Sequence, residues 1–308
     1  MAQEIFRSEK IIKKYADHLA LDEVSISVES QSIFGLLGPN GAGKTSLIRI
    51  INQITAPDYG SAYFEGSPLN SKHIEHIGYL PEERGLYMKM KVGEQALYFA
   101  QLKGLSRKDA LMKLKVWFEK FEIQAWWDKK VEELSKGMQQ KIQFVITVIH
   151  EPKLLIFDEP FSGFDPINTD LIKKEILDLR DKGATIIFST HNMESVEELC
   201  DHIALLNNAR KILDGPLNEI RNSHKSNLVK IGFNGNLDNL KKGLNGNSLI
   251  ESTKGDNHWV VKIKLAEKTS LNDLLQGIIP QIEVVYCSEE VPSIRDIFIE
   301  KVKEPRNS

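Results

Sequence analysis

Residues 38 to 45 read Gly-Pro-Asn-Gly-Ala-Gly-Lys-Thr, which fits the spacing GxxxxGK[ST]. Glycines let successive backbone N–H groups wrap a phosphate, and a helix opening immediately afterwards adds partial positive charge. Lys44 then reaches the β and γ oxygens of a nucleoside triphosphate, and the Thr45 hydroxyl is a hard oxygen suited to Mg²⁺. The candidate nucleotide contacts are therefore Gly38, Pro39, Asn40, Gly41, Ala42, Gly43, Lys44, Thr45 and Ser46. The motif lies after the apolar run 32–37 and before a helical pattern over 45–54, the placement that gives such a loop its function.

A second constellation complements the first. Leu154-Leu155-Ile156-Phe157-Asp158-Glu159 is an apolar run ending in two carboxylates. As a strand of a parallel sheet it brings both acids to the carboxyl edge, beside the phosphate loop. Asp158 is then expected to hold Mg²⁺ through water, which leaves Glu159 to polarise the attacking water as general base. On an ordinary strand end the same acids would simply face solvent; the loop upstream favours the functional reading.

These residues need a scaffold, and the hydrophobic pattern supplies one. Short apolar alternations within 5–29 read as strands, and 57–60 (Pro-Asp-Tyr-Gly) as a turn. The stretch 92–140 carries Leu, Ala and aromatic residues at helical spacing and reads as a helical insertion; its Trp126-Trp127 pair suits either core or a packing surface. Buried strands follow at 153–157 and 185–188 with a helix over 168–182 between them, then a strand at 203–206 and a helix near 217–221. Strands alternating with helices argue for a parallel sheet covered on both faces. The polar stretch 222–227 reads as a linker, so domains are expected at 1–223 and 224–308. The second would be a small α+β domain, with strands at 228–233, 259–265 and 282–286 and helices near 271–279 and 293–302.

The bulk numbers narrow the class. The 308 residues allow one large α/β domain or a larger and a smaller one, and 41% hydrophobic with 27% charged residues excludes a disordered or fibrous chain. A net charge of −3 argues against a protein that chiefly neutralises nucleic-acid phosphates. Two distant cysteines, Cys200 and Cys287, suggest neither a disulfide framework nor a zinc site. No run approaches the roughly 18 apolar residues of a spanning helix, and 1–14 lacks the apolar segment of a secretory signal, so a cytosolic location is expected.

Leu134-Ser135-Lys136-Gly137-Met138-Gln139-Gln140 resembles the LSGGQ signature of ATP-binding cassette ATPases. The resemblance extends in the family's order over residues 3–223. Tyr15 looks like the aromatic that stacks on adenine, Ser162-Gly163-Phe164-Asp165 like the loop after the catalytic glutamate, and Ser189-Thr190-His191 like the switch-histidine segment. It implies a P-loop NTPase cassette, a RecA-like α/β core with an antiparallel β subdomain and a helical subdomain, followed here by the small α+β domain. It further implies ATP and Mg²⁺ as cofactors, with Lys44, Glu159 and His191 catalytic and Thr45, Asp158 and Glu82 at the metal. Two cassettes, homodimer or heterodimer, would sandwich each ATP, so that Ser135 and Gly137 act on the partner's nucleotide. His191 alone would more often be a satisfied core histidine.

The sequence departs from the family pattern at four places. Lys136 replaces the first signature glycine, Met138 the signature glutamine, and Phe164 the usual leucine. Glu82, within Leu80-Pro81-Glu82-Glu83-Arg84-Gly85-Leu86-Tyr87, stands where glutamine is usual and adds a full negative charge that Arg84 or the metal would have to offset. Leu86, Tyr87, Met88 and Met90 read equally as core and as the groove for a permease. His73 and His76 read as a solvated pair, and Lys129-Lys130 as a solvated helix face. A single cassette without a spanning segment implies a separate integral-membrane permease, with the chain peripheral at the inner face of the membrane. The string from Leu80 and the tail 291–298 resemble bacterial drug, antibiotic or sodium export ATPases. The alternative is a soluble cassette ATPase acting mechanically on a ribosome or nucleic-acid complex; such members normally carry two cassettes or long coiled coils, neither of which is seen, and no nucleic-acid partner is expected.

Overall fold

A computed structural model describes residues 3–83, 85–224, 227–255 and 258–303. The chain divides into two compact units, Met1–Leu217 and Asn218–Ser308. In the first, strands β1 (Glu4–Tyr15) and β2 (His18–Glu29) form a hairpin, and β3 (Ile33–Leu37) leads into the phosphate loop and α1 (Lys44–Ile51). β4 (Tyr59–Phe64), β5 (Ser67–Pro68) and β6 (Ile77–Leu80) follow, then the helices α2 (Val92–Leu102), α3 (Arg107–Lys120) and α4 (Lys136–Val148). The chain returns through β7 (Leu154–Asp158), α5 (Pro166–Asp181), β8 (Thr185–Ser189), α6 (Met193–Leu199), β9 (His202–Asn207) and β10 (Arg210–Pro216), and α7 (Leu217–Ser223) opens the second unit.

Among the described residues, the first unit holds a four-stranded sheet ordered β2-β1-β4-β5 and a six-stranded sheet ordered β10-β9-β3-β8-β7-β6. The first is antiparallel; in the second every pairing is parallel except β9 with β10. Strands β3, β7 and β8 are buried along their whole length, which is why they read as unbroken apolar runs rather than alternations. Leu47, Ile48 and Ile51 of α1 share one core with Phe6 and Leu21 of the antiparallel sheet and Phe34 and Ile156 of the parallel one. That core fixes the base of the phosphate loop against both sheets. Local signals set the helix starts: Ser106, Ser135 and Asp165 each accept a backbone N–H from three residues on, and Pro166 occupies the first turn of α5.

The second unit contains β11 (Leu228–Asn234), α8 (Leu237–Lys242), β12 (Ser248–Lys254), β13 (Trp259–Lys264), α9 (Leu271–Ile278), β14 (Glu283–Glu290) and α10 (Ile294–Lys303). Its sheet runs β12-β13-β11-β14, antiparallel throughout, the order of a split βαβ arrangement. Val229, Ile231 and Phe233 pack against Leu240 of α8 and Leu274 and Ile278 of α9. Gly232, on the opposite face, lets the Tyr286 ring lie across the strand; a Cβ there would come 2.2 Å from that ring.

Several expectations are corrected. The division falls at Leu217/Asn218 rather than after residue 223, because α7 groups with the second unit; Lys225 and Ser226 of the expected linker lie outside the described residues. Tyr59 and Gly60 open β4 instead of closing a turn, with Gly60 at φ 89 where its backbone closes on the Glu9 and Lys10 carbonyls. Lys129 and Lys130 are exposed but not helical, and Lys130 bridges to Lys91. The Trp126-Trp127 pair agrees with the expected packing surface: both are half-buried, and the Trp127 ring meets Phe118 and sits where Gly93 has no side chain.

Candidate functional site

A cavity of about 400 Å³ opens at the carboxyl edge of the parallel sheet. The phosphate loop forms one wall, from Asn40 to Ser46, and Asp158, Glu159 and His191 form another. Tyr15 and Glu82 join them, so sequence-derived residues from five separate stretches meet at one place. Gly38 and Pro39 sit at the loop's base, where Lys44 Nζ donates to their carbonyl oxygens at 2.6 and 3.1 Å.

Two glycines in the loop are dictated by space. Gly43 lies at φ 109, and a Cβ on it would come 2.3 Å from the Ala20 carbonyl oxygen. Gly38 is equally confined by the Leu206 carbonyl, 2.4 Å from its would-be Cβ. The loop is thus held tight against β2 and β9 beneath.

The carboxylates differ in their support. Glu159, at φ 50, has one oxygen accepting from the His191 backbone N–H at 2.8 Å and facing His191 Nδ1 at 2.7 Å. Its other oxygen accepts from Thr190 Oγ1 at 3.0 Å. The Glu159 side chain is 15% exposed whereas His191 is 81% exposed, so the carboxylate is fixed and the imidazole reaches into solvent. Asp158 is buried, which lifts its carboxyl above the ordinary range, and the Glu82 and Glu159 carboxylates add to that rise. Burial lowers the Lys44 ammonium, while Glu159, Asp158 and Glu82 work in the opposite direction. Tyr79, on the strand beneath, is pushed up to about 12 by burial and by Asp158.

The donor set suits ATP and a divalent cation. Three carboxylates face Lys44 in one cavity, and a hard cation would relieve their crowding while the Thr45 hydroxyl, Asp158 and Glu82 offer it oxygen ligands. Among the described residues no three His, Cys, Asp or Glu side chains converge as a metal site of their own. An ion here would rely on the nucleotide's oxygens as well. Arg84, expected to offset Glu82, lies outside the described residues.

Ser135 and Gly137 are not part of this cavity. Ser135 is exposed at the start of α4, where its hydroxyl accepts from the Met138 N–H at 3.3 Å. Gly137 abuts the loop after Glu159, its would-be Cβ 3.3 Å from the Gly163 carbonyl oxygen. His18 and Ala20 line the cavity although the sequence reading passed over them. The only signal was proximity: His18 pairs with Tyr15 across the hairpin. Thr190, read only as part of a segment, turns out to hold Glu159 directly. His73 caps the chain at Asn70 and its ring meets Phe64, so it is structural rather than half of a solvated pair. The apolar cluster divides: Leu86 is buried, while Tyr87 and Met88 are 54% and 44% exposed.

A phosphate-cradling loop between a buried parallel strand and a helix, with acids on the neighbouring strand and a helical insertion, defines a P-loop NTPase cassette. The family model described as ABC transporter matches residues 21–162, and that of the DrrA1-3-like ATP-binding protein C-terminal domain matches 215–302. The chain is 41% identical over 302 residues to the uncharacterized ABC transporter ATP-binding protein YhaQ of Bacillus subtilis, covering 95% of this chain and 96% of that one. It is 32% identical over 222 residues to Nod factor export ATP-binding protein I of Cupriavidus metallidurans, covering 71% and 73%. The solved structure of an ABC transporter's ATP-binding subunit superposes with a TM-score of 0.66 at 29% identity, over 71% of this chain and 92% of the other. The chain therefore belongs to the ABC transporter ATP-binding proteins, a family that binds ATP.

Proposed function

We propose that this chain hydrolyses Mg-ATP at the cavity above and uses the cycle to drive export through a separate membrane permease. The observation that carries the reading is Glu159: a carboxylate fixed between Thr190 and His191, in the same cavity as Lys44. A base so held keeps its geometry while it orients and deprotonates the attacking water. Lys44 neutralises charge on the β and γ oxygens, and His191, exposed and touching Glu159, is placed to report on the γ-phosphate. Thr45, Asp158 and Glu82 would hold Mg²⁺, which would supply Lewis-acid stabilisation of the leaving charge. Tyr15 stacks on adenine. Ser135 and Gly137 lie outside their own chain's cavity, which supports their acting on the nucleotide of a second cassette, with the amino terminus of α4 directed at its phosphate.

Export is supported by the relative named for Nod factor export. Among the described residues no helix is long and apolar enough to cross a membrane, which supports a pathway formed by another subunit with this chain at its inner face. Tyr87, Met88 and Tyr98, all exposed, give this chain a surface for that subunit, with Tyr87 stacked on Phe99 at 5.8 Å and Tyr98 edge-on to the same ring at 5.4 Å. The test is fractionation of cells expressing the wild type and Met88→Glu. Wild type should sediment with membranes and the variant should become soluble while keeping its basal ATPase rate. Sedimentation of both with ribosomes or DNA, independent of membranes, would contradict the reading.

A further inference from the structure

We propose that the first unit carries a second ligand site, for an amphipathic organic anion, at the amino edge of the parallel sheet. A cavity of about 740 Å³ opens there, well within the range of roughly 300–1,000 Å³ typical of small-molecule sites. It shares no lining residue with the nucleotide cavity, which lies at the opposite ends of the same strands.

Part of the floor is core, with Leu155 fully buried and the Trp117 ring against Phe121 and Phe144, but the exposed residues of α3 are not. Helix α3 buries Ala110, Leu114 and Phe118 along one face. It nevertheless carries Met112 and Val116, four residues apart and 61% and 59% exposed, on a second apolar stripe that lines the cavity with Trp117. Leu155 of β7 and Leu179 of α5 complete the floor. Exposed side chains of this size at helical spacing cost solubility unless something covers them.

Lysines outnumber carboxylates in the lining of the cavity. Lys113, Lys120, Lys153 and Lys182 line it, against Glu151 as the carboxylate in the lining. Lys120 is committed to the buried Glu175 and to Asp178 at 3.5 Å, so it adds no free charge; the Lys113–Glu151 pair, at 2.8 Å, involves a glutamate 75% exposed, and Lys153 reaches out to Glu65 at 2.8 Å, surface pairs that hold their lysines weakly and leave donors for an anion. Lys182 caps the end of α5 and among the described residues has no carboxylate within ion-pair distance. The last carbonyls of that helix do not repel an incoming anion unopposed, because Asp178, Arg180 and Leu179 accept from the N–H groups of Lys182, Gly183 and Ala184. An apolar floor with ammonium groups around it selects a molecule with an apolar body and one carboxylate or sulfonate. A bare inorganic anion would waste the floor, and an amine would meet like charge.

Calorimetric titration of the full chain with decanoate, decanol and decylamine, each below its aggregation concentration, tests the proposal. Decanoate should bind saturably with one site per chain, and decylamine at least about tenfold more weakly, the order expected from a net cationic lining. Val116→Asp and Lys182→Glu, both at exposed positions that leave the core intact, should each weaken decanoate about fivefold or more. Lys44→Ala should bind decanoate as wild type does, since it alters only the nucleotide cavity. Absence of saturable decanoate binding, equal binding of decylamine, or an unchanged affinity in a folded Val116→Asp protein would overturn the proposal.

Discussion

His150 follows α4, and neither of its ring nitrogens has a hydrogen-bond partner although both are shielded from solvent. Burial, with the nearby Lys103 and Lys113 and His76 acting in the same direction and the Ile77 backbone against it, lowers its pKa from 6.5 to about 4. Lys103 cannot move away easily, because its ammonium donates to the Ile74 and Ile77 carbonyls at 2.9 Å each. The folded state therefore prefers the neutral ring, and the unfolded chain binds more protons between about pH 4 and 6.5. Stability contributed by the neutral ring is complete above the unfolded value and falls as pH drops from 6.5 towards 4. At pH 5 the ring is nearly fully protonated when unfolded and neutral when folded, so 1.5 pH units at about 1.4 kcal/mol each give an upper bound of ~2 kcal/mol. Residual solvent around a half-buried ring reduces this to about 1–2 kcal/mol. His150→Leu removes the titration and keeps an apolar filling. Urea unfolding followed by tryptophan fluorescence at pH 8 and pH 5 should show the wild type losing about 1–2 kcal/mol more than His150→Leu over that interval. Equal losses in the two proteins would refute the argument.

Gly43→Ala should lower ATP affinity at least about tenfold in a fluorescent-nucleotide titration, because a Cβ 2.3 Å from the Ala20 carbonyl at φ 109 must displace the loop. Glu82→Gln should shift the Mg²⁺ dependence of the ATPase rate several-fold, since a full charge beside Asp158 and Lys44 becomes a neutral oxygen. Superimposable Mg²⁺ titrations would remove Glu82 from the metal. A chain ending at residue 223 should still bind ATP, since the nucleotide cavity is lined wholly from the first unit. Loss of binding in a folded truncation would show that the second unit supports the site.

Much of the site was legible because phosphate chemistry demands contiguous residues: a loop from Gly38 to Thr45 and a strand ending in Asp158 and Glu159 carry their meaning locally. Ala20 and His18 were not, because only the pairing of β1 with β2 and the packing of Gly43 against Ala20 bring them to the cavity. The buried strands β3, β7 and β8 stood out as apolar runs, whereas β10 alternates between half-buried and exposed at the sheet's edge and gives little contrast. Strand β12 reads Ser-Leu-Ile-Glu-Ser-Thr-Lys, with Leu249 alone packing on the core, and α8 is only six residues long. Without those two elements the second unit could be read as α+β but not as a split βαβ arrangement. The unit boundary was misplaced for a similar reason: the polar stretch after α7 is conspicuous in sequence, while the grouping of α7 is decided by tertiary contacts.

Phosphate release by the purified protein with Mg-ATP, compared across wild type, Lys44→Ala and Glu159→Gln, tests the central claim most directly. The account predicts turnover by the wild type, loss of turnover in Lys44→Ala with weakened nucleotide binding, and retained binding with turnover reduced about 10²–10⁴-fold in Glu159→Gln. Wild-type turnover in both variants would contradict it.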